Sequence, residues 1–450
     1  MKTLMVVLGL VAALTAGPAS ARPAEDPPLR LQDAVSAALE RNPTIAGTRA
    51  SRDLAVARLR EARAMWMPRV DATETIMRSD NPVFVFGSLL EQGRFGAQHF
   101  DPAFLNDPDA LDNFRLALNV RYTVFDQLRR LNAVRGAGNA VEQADFGSNE
   151  ARQRIRVETV SRFYGLFLAI QKVAVASEAV AAADANAASM RARFEQGLLV
   201  ESDLLAAEVQ LASFRQQLIE GDGEVEIARA ALAMLIQRPL SEPLTVEGTI
   251  PESEFPEVPL SAAIERALAE RGELKTAQSA TENAALQLRT ARGSFLPRVD
   301  TFASWGQSGS KLTSGDPDTA IGVIVGVNLF DGGKSARIGA ARAELEAARS
   351  AEISTRDRVT MEVVTAWHRA RSARERIGVA ARSAESATTA ARIVSDRYHN
   401  GLTIITEQLR AQTALVSARL ALLAARFDYV INYAELLRST GGLNDVEDFD

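Results

Sequence analysis

The chain has 450 residues, of which 47% are hydrophobic and 24% charged, and its formal net charge is −6. This balance excludes global disorder and leaves no basic excess for nucleic acid. The absence of cysteine excludes a disulfide framework, a cysteine zinc site and a thiol nucleophile. Only 28 glycines and 16 prolines occur, among abundant Ala, Leu, Arg and Glu, which predicts long helices. The three histidines, His99, His368 and His399, lie too far apart in sequence to suggest a metal cluster. No nucleophile motif, phosphate loop or metal spacing is present, so neither an enzyme nor a cofactor is expected.

Residues 1–21 read as a signal peptide: Lys2, an apolar run from Leu4 to Leu14, and Ala19-Ser20-Ala21 as the cleavage site. The apolar run is too short to span a bilayer. No later stretch reaches 18 uninterrupted apolar residues, so a membrane helix is not expected, whereas tilted β-strands remain open.

The chain repeats itself. Residues 33–71 align without a gap on 262–300 with twelve of 39 positions identical, ending in Pro68-Arg69-Val70-Asp71 against Pro297-Arg298-Val299-Asp300. Further on, Arg193-Phe194-Glu195-Gln196-Gly197-Leu198 lies on Arg397-Tyr398-His399-Asn400-Gly401-Leu402, and Phe125-Asp126 on Phe330-Asp331. The shared order and spacing point to duplication. The predicted division is a first repeat over 22–237, a connector over 238–259 with five prolines, a second repeat over 260–438 and a C-terminal tail over 439–450.

Each repeat reads helix, strand, loop, strand, long helix, turn, helix. In the first, a leading helix over about Leu31–Ala64 ends at Pro68. Strands follow at about 69–79 and 113–125, the second alternating Phe114, Leu116, Leu118, Val120, Tyr122 and Val124 with polar residues. The segment between them, rich in Phe, Pro, Asp and Asn, reads as a long loop over 80–112 of open role: lid, packing loop or docking site. Strands at about 298–308 and 318–330 are their counterparts in the second repeat. The long helices cover about Gln127–Phe194 and Lys334–Tyr398, the first with Gly136, Gly138 and Gly147 as possible interruptions. Gly197 and Gly401 end them as left-handed caps. Return helices run over about Ser202–Ile236 and Thr406–Leu437.

A 68-residue helix spans roughly 100 Å, as do the leading and return helices laid end to end. These lengths suit a cylinder wall without a large private core. Four amphipathic strands cannot close a membrane barrel alone, so they are either shared among copies or belong to a soluble sheet. Trp66, Phe125, Phe295 and Phe330 fall at one helix–strand level, where an interfacial girdle belongs, or where an ordinary core is plugged. A periplasmic adaptor with one helical hairpin and a soluble helical scaffold are the rival readings.

The two-fold repeat, the paired P-R-V-D segments, the F-D strand exits and the paired R-F/Y-x-x-G-L turns together resemble the TolC-type outer-membrane efflux proteins, across essentially the whole chain after residue 21. The resemblance implies a mainly α protein with a transmembrane β part. In that arrangement, a homotrimer builds a 12-stranded β-barrel in outer-membrane lipid, continued by an α-helical barrel across the periplasm. It implies a passive duct of a tripartite efflux or type I secretion system, joined to an inner-membrane pump by a periplasmic adaptor. The missing cysteine excludes the lipid-anchored branch of that family.

By the same resemblance, the turns at Gly197, Leu198, Gly401 and Leu402 form the periplasmic tip that an adaptor touches. Asp203 and Glu407 match acidic positions of the entrance constriction, and Tyr398 matches the tyrosine of its hydrogen-bond network. Thr403 stands where the best-known member has Arg, and Arg410 where it has a second Asp. A ring of Arg410 beside Glu407 is expected to offset the acidic charge. Independently of family, Asp203 and Glu407 sit where acids favour a helix N-terminus.

Overall fold

Asn42 breaks the leading helix that the sequence reads as continuous. It is followed by Pro43, and its Oδ1 accepts from the Thr44 N–H at 2.9 Å, so one helix stops and a second is capped at the same residue. The computed structural model describes residues 28–443, apart from 249, 252–254 and 257, and residue 449. The proposed leader, 1–21, lies outside the described residues. Helices α1 (Leu31–Arg41) and α2 (Pro43–Ala64) lead the first repeat, and α5 (Arg129–Glu195) and α6 (Glu201–Leu235) complete it. The second repeat is led by α7 (Leu260–Glu270) and α8 (Gly272–Gly293), which meet at Arg271, and is completed by α9 (Gly333–His399) and α10 (Ile405–Ser439).

The helix lengths match across the repeats: 11 residues in α1 and α7, 22 in α2 and α8, 67 in α5 and α9, and 35 in α6 and α10. At 1.5 Å per residue α5 and α9 are each roughly 100 Å long. Gly136, Gly138 and Gly147 do not interrupt α5. α2 and α6 pack on α5, and α8 and α10 on α9. α5 also contains an 18-residue stretch apolar enough to cross a membrane, the one such helix among the described residues. It buries Val160, Phe163, Tyr164 and Leu166 in a protein core.

Strands β1 (Arg69–Ser79), β2 (Leu111–Phe125), β3 (Arg298–Lys311) and β4 (Ser314–Gly326) form one antiparallel sheet in the order β1-β2-β3-β4. The register separates two faces. One carries Val70, Ile76, Leu116, Leu118, Val120, Trp305, Ile321, Val323 and Val325, with Glu74 as a charged exception. The other carries Thr73, Arg115, Asn119, Arg121, Thr123, Asp300, Ser304 and Ser308. The P-R-V-D segments acquire a physical reading here. Arg and Asp two apart lie on the same face, and they pair as Arg69–Asp71 at 2.9 Å and Arg298–Asp300 at 2.8 Å.

The exit of β4 departs from the sequence reading, which carries it to residue 330. Arg298 is the first residue of β3 and pairs with Gly326, so residues past Gly326 have no ladder to join. Phe330 therefore stands off the sheet, 90% exposed. β2 runs to Phe125, because Val299 still pairs with it.

The segment over 80–112 is not an irregular loop. Asn81 caps α3 (Pro82–Glu91), accepting from the Val83 and Phe84 N–H groups, and Asp101 caps α4 (Pro102–Asn106). The Asn-Pro and Asp-Pro pairs are start signals that the run of phenylalanines obscured.

A sizeable private core also exists, against expectation. Leu31, Ile45, Val160, Phe163, Leu166, Leu232 and Val430 meet midway along the helices, joined by Phe255 from the connector and by Leu443 and Phe449 from the tail. The connector is anchored: Leu29 bridges Val246, and the Phe255 ring stacks on Tyr433 at 4.0 Å.

Candidate entrance site and strand-exit aromatics

The tip of the long hairpins is built twice by the same means. Gly197 and Gly401 adopt φ of +73° and +71°. The Leu198 N–H donates to the Arg193 carbonyl at 2.9 Å and the Leu402 N–H to the Arg397 carbonyl at 2.8 Å, closing each helix with a Schellman-type cap. A side chain at either glycine would meet nothing within 4 Å, so the backbone conformation alone calls for glycine. The turns present Leu198, Val200, Leu402 and Ile404 to solvent, which makes the end of each hairpin apolar.

Asp203 and Glu407 occupy the third position of α6 and α10 in the two repeats, with Val200 and Ile404 as N-cap residues that offer no side-chain oxygen. Their carboxylates lie within the first turn, where the helix dipole favours negative charge. The structure then divides them. Glu407 pairs with Arg410, whose Nη1 donates at 3.0 Å, and both side chains are exposed. Asp203 instead lies near Tyr398, whose hydroxyl is also close to the Arg193 guanidinium. Burial pushes the Tyr398 hydroxyl above its ordinary value, with Asp203 acting in the same sense and Arg193 against it. The Tyr398 ring packs on the tip core of Ala187, Met190, Leu204 and Leu409. Arg193 and Tyr398 close α5 and α9, so this contact ties the first hairpin to the second. Thr403 is half-buried in the turn before α10.

Sequence reasoning missed Arg193 as a neighbour of Tyr398. The paired R-F/Y-x-x-G-L turn marks this arginine in the sequence only as a landmark.

At the other end of the helices, Pro68 and Pro297 stand immediately before β1 and β3. Trp66 and Phe295 are exposed, as is Phe330, while Phe125 is half-buried. Each of the first two rings holds a buried cation that the sequence reading passed over. Arg130 lies 4.3 Å from the Trp66 centroid, and the Lys334 ammonium 4.9 Å from that of Phe295. Arg130 also pairs with Asp126 at 3.1 Å and donates to the Met65 and Val124 carbonyls at 3.3 Å. Lys334 donates to the Asn328 carbonyl at 3.0 Å.

The model of the outer membrane efflux protein family matches residues 34–236 and 263–442. The chain belongs to this family. Among curated proteins it is 25% identical over 332 residues to the outer membrane efflux protein BepC of Brucella suis, covering 72% of each chain. It is 24% identical to the alkaline protease secretion protein AprF of Pseudomonas aeruginosa, over 76% of this chain and 73% of that one. Among solved structures, the CmeC outer membrane channel of Campylobacter jejuni superimposes with a TM-score of 0.81 at 18% identity, covering 92% of this chain and 85% of that one. VceC of Vibrio cholerae gives 0.78 at 20% identity, covering 92% and 96%. The fold is therefore that of outer membrane channels, and the protein is an outer-membrane efflux or secretion channel with a long helical part in the periplasm.

Proposed function

We propose that three copies of this chain form a duct that conducts substrates passively from an inner-membrane pump, through a periplasmic adaptor, to the outside of the cell. The observation that carries this reading is the sheet. It has an apolar face, a wet face, and edge strands β1 and β4 without partners among the described residues. An open edge cannot stand in lipid, but four strands from each of three copies close a barrel of twelve. The apolar face then meets lipid, the wet face lines the pore, and the roughly 100 Å helices continue its wall.

The two repeats, 22–237 and 260–438, each supply two strands and one hairpin. The exposed Trp66, Phe295 and Phe330 sit at the sheet's helical end, where an interfacial belt forms. The Gly197 and Gly401 turns make the adaptor-facing tip, and Asp203, Tyr398 and Arg193 hold the entrance narrow. BepC and AprF are named for efflux and for protease secretion, and the present chain is assigned to the same class of export.

The test is the mass of the detergent-extracted protein together with its conductance in planar bilayers. A trimer that conducts supports the duct. A soluble periplasmic product, or a monomer without conductance, defeats it.

A further inference from the structure

Helix α3 lies on the wet face of the sheet. Gln92 donates to the Asp112 carbonyl and to Asn113 Oδ1, both at 2.9 Å. Arg115 reaches Glu91 at 3.2 Å, Ser308 Oγ at 2.8 Å and Asp318 at 3.0 Å, and Ser308 Oγ also donates to Glu91 at 3.1 Å. Arg115, Ser308 and Asp318 project from the same face as Asn119, Arg121 and Thr123, opposite to Leu116, Leu118 and Trp305. Gly306 leaves the space through which the Arg115 guanidinium passes, since a side chain there would stand 2.8 Å from it. If the wet face lines the pore, α3 lies inside the mouth, at the sheet end remote from the long helices.

One side of α3 is seated. Val85, Ser88, Leu89 and Gln92, at helical spacing, are buried. The other side is unpartnered and apolar. Val83 is 81% exposed and Leu90 52% exposed, and a Cβ placed on Gly87 between them would meet nothing within 4 Å. Val83, Gly87 and Leu90 follow the i, i+4, i+7 spacing of a helix–helix seam with a small residue at its centre.

We propose that the Val83–Gly87–Leu90 stripes of three copies pack on one another and close the outer mouth, with Glu91–Arg115–Asp318 latching each helix to its own wall. This rests on the trimeric reading above. The occupant is a second copy of this chain because the threefold barrel brings three identical helices, each ~10–12 Å across, into one mouth. A twelve-stranded barrel lies between the side-chain-filled eight-stranded and the open sixteen-stranded kinds, too narrow to keep the three apart. The result is an apolar constriction, of the sort that blocks ions by excluding water.

The cysteine-free chain gives a clean test. Leu90→Cys and Gly87→Cys are expressed separately as the full protein in the outer membrane and oxidised with copper phenanthroline. Interchain disulfides are expected from both, and none from Thr319→Cys on the lipid-facing side. In parallel, Ser304→Cys on the inner wall is labelled from outside with a bulky impermeant maleimide. Combining it with Glu91→Gln is expected to raise labelling about tenfold, equivalent to ~1.4 kcal/mol of latch strength. Native electrophoresis of the same samples reports the assembly. A trimer with neither interchain disulfide nor latch-dependent labelling overturns the lid. A monomer overturns the duct reading, and the lid with it.

Discussion

Asn42 and Arg271 hold the same place in the two repeats, 229 residues apart, and each bonds the carbonyl that ends its own return helix. Asn42 Nδ2 donates to Leu235 O at 3.4 Å, and Arg271 Nη1 to Ser439 O at 3.2 Å. Leu235 and Ser439 are themselves repeat equivalents, 204 residues apart. A buried polar side chain at the break of the leading helix thus fastens it to the end of the return helix. Duplication preserved the device while its chemistry diverged from amide to guanidinium.

The divergence predicts unequal costs. Arg271 is 1% exposed and pairs with Glu273 at 3.0 Å and Glu362 at 3.1 Å. Arg271→Ala leaves Glu273 and Glu362 with only the exposed Arg358 and strands the Ser439 carbonyl, and is expected to cost about 3–5 kcal/mol. Asn42→Ala removes a cap and one long hydrogen bond, for about 0.5–2 kcal/mol. Thermal melts in detergent should place Arg271→Ala well below Asn42→Ala. Equal shifts would remove the distinction.

The same cluster predicts acid sensitivity. Burial works to raise the Glu273 carboxyl, but Arg271 and Arg358 together outweigh it and hold the group below the ordinary glutamate range. A carboxyl depressed in the folded state stabilises it above the unfolded pKa, and that contribution is lost as pH falls through the folded value. Glu273→Gln should therefore lower the melting temperature at pH 7, and the deficit should shrink as pH falls below the ordinary glutamate range. A constant deficit at every pH would contradict this linkage.

Much of the fold was legible because periodicity and landmarks agree in two copies. The Gly197 and Gly401 ends, and the alternation over Phe114–Val124, each rest on local rules that a single sequence displays. The break at Asn42 carries a local signal, Asn42-Pro43, that the helical periodicity on either side masks, whereas the break at Arg271 has no such cap and depends on its long-range partners Ser439 and Glu362. For Asp203 and Glu407 the residues alone give only a place in the first turn of a helix, and the proposed entrance role comes from the family resemblance. Their different partners, Tyr398 with Arg193 and Arg410, depend on how two hairpins pack side by side. The seat of α3 likewise needs the β2–β3 register, which no local pattern specifies.

The cation under each ring at the strand entry gives a third prediction. The second repeat uses Phe295 with Lys334 where the first uses Trp66 with Arg130, so Trp66→Phe should be tolerated with a loss of about 1 kcal/mol or less. Arg130→Ala, by contrast, removes a guanidinium 4% exposed from an Asp126 carboxylate 15% exposed, leaving it only the residue 130 N–H, and should cost about 3–5 kcal/mol. The yield of assembled protein in the outer membrane, compared between the two variants, checks this order.

The tip glycines offer a conformational test. Both lie at positive φ in open space, so alanine brings strain without a clash. Gly197→Ala or Gly401→Ala should cost roughly 1–2 kcal/mol at the turn, whereas Asn, which tolerates this region, should cost less. Faster limited proteolysis near residues 198–200 or 402–404 in the alanine variants, with the asparagine variants close to wild type, is the expected pattern. Equal cleavage in both would mean that the cap does not set tip order.

The entrance can be addressed one contact at a time. Tyr398→Phe removes the hydroxyl that lies close to Arg193 and Asp203 while keeping the ring on the tip core. Losing this polar contact between the hairpins should raise the open population, by about fivefold for a loss of ~1 kcal/mol. Planar-bilayer conductance at neutral pH reads that change. Arg410→Ala acts differently. It frees the exposed Glu407 without unseating a helix, so stability should move by less than about 0.5 kcal/mol. The reversal potential in a salt gradient should shift toward cation preference, because three uncompensated carboxylates would then ring the passage. An unchanged reversal potential would show that Glu407 and Arg410 stand outside the ion path, and the constriction would have to be sought at Asp203 and Tyr398 alone.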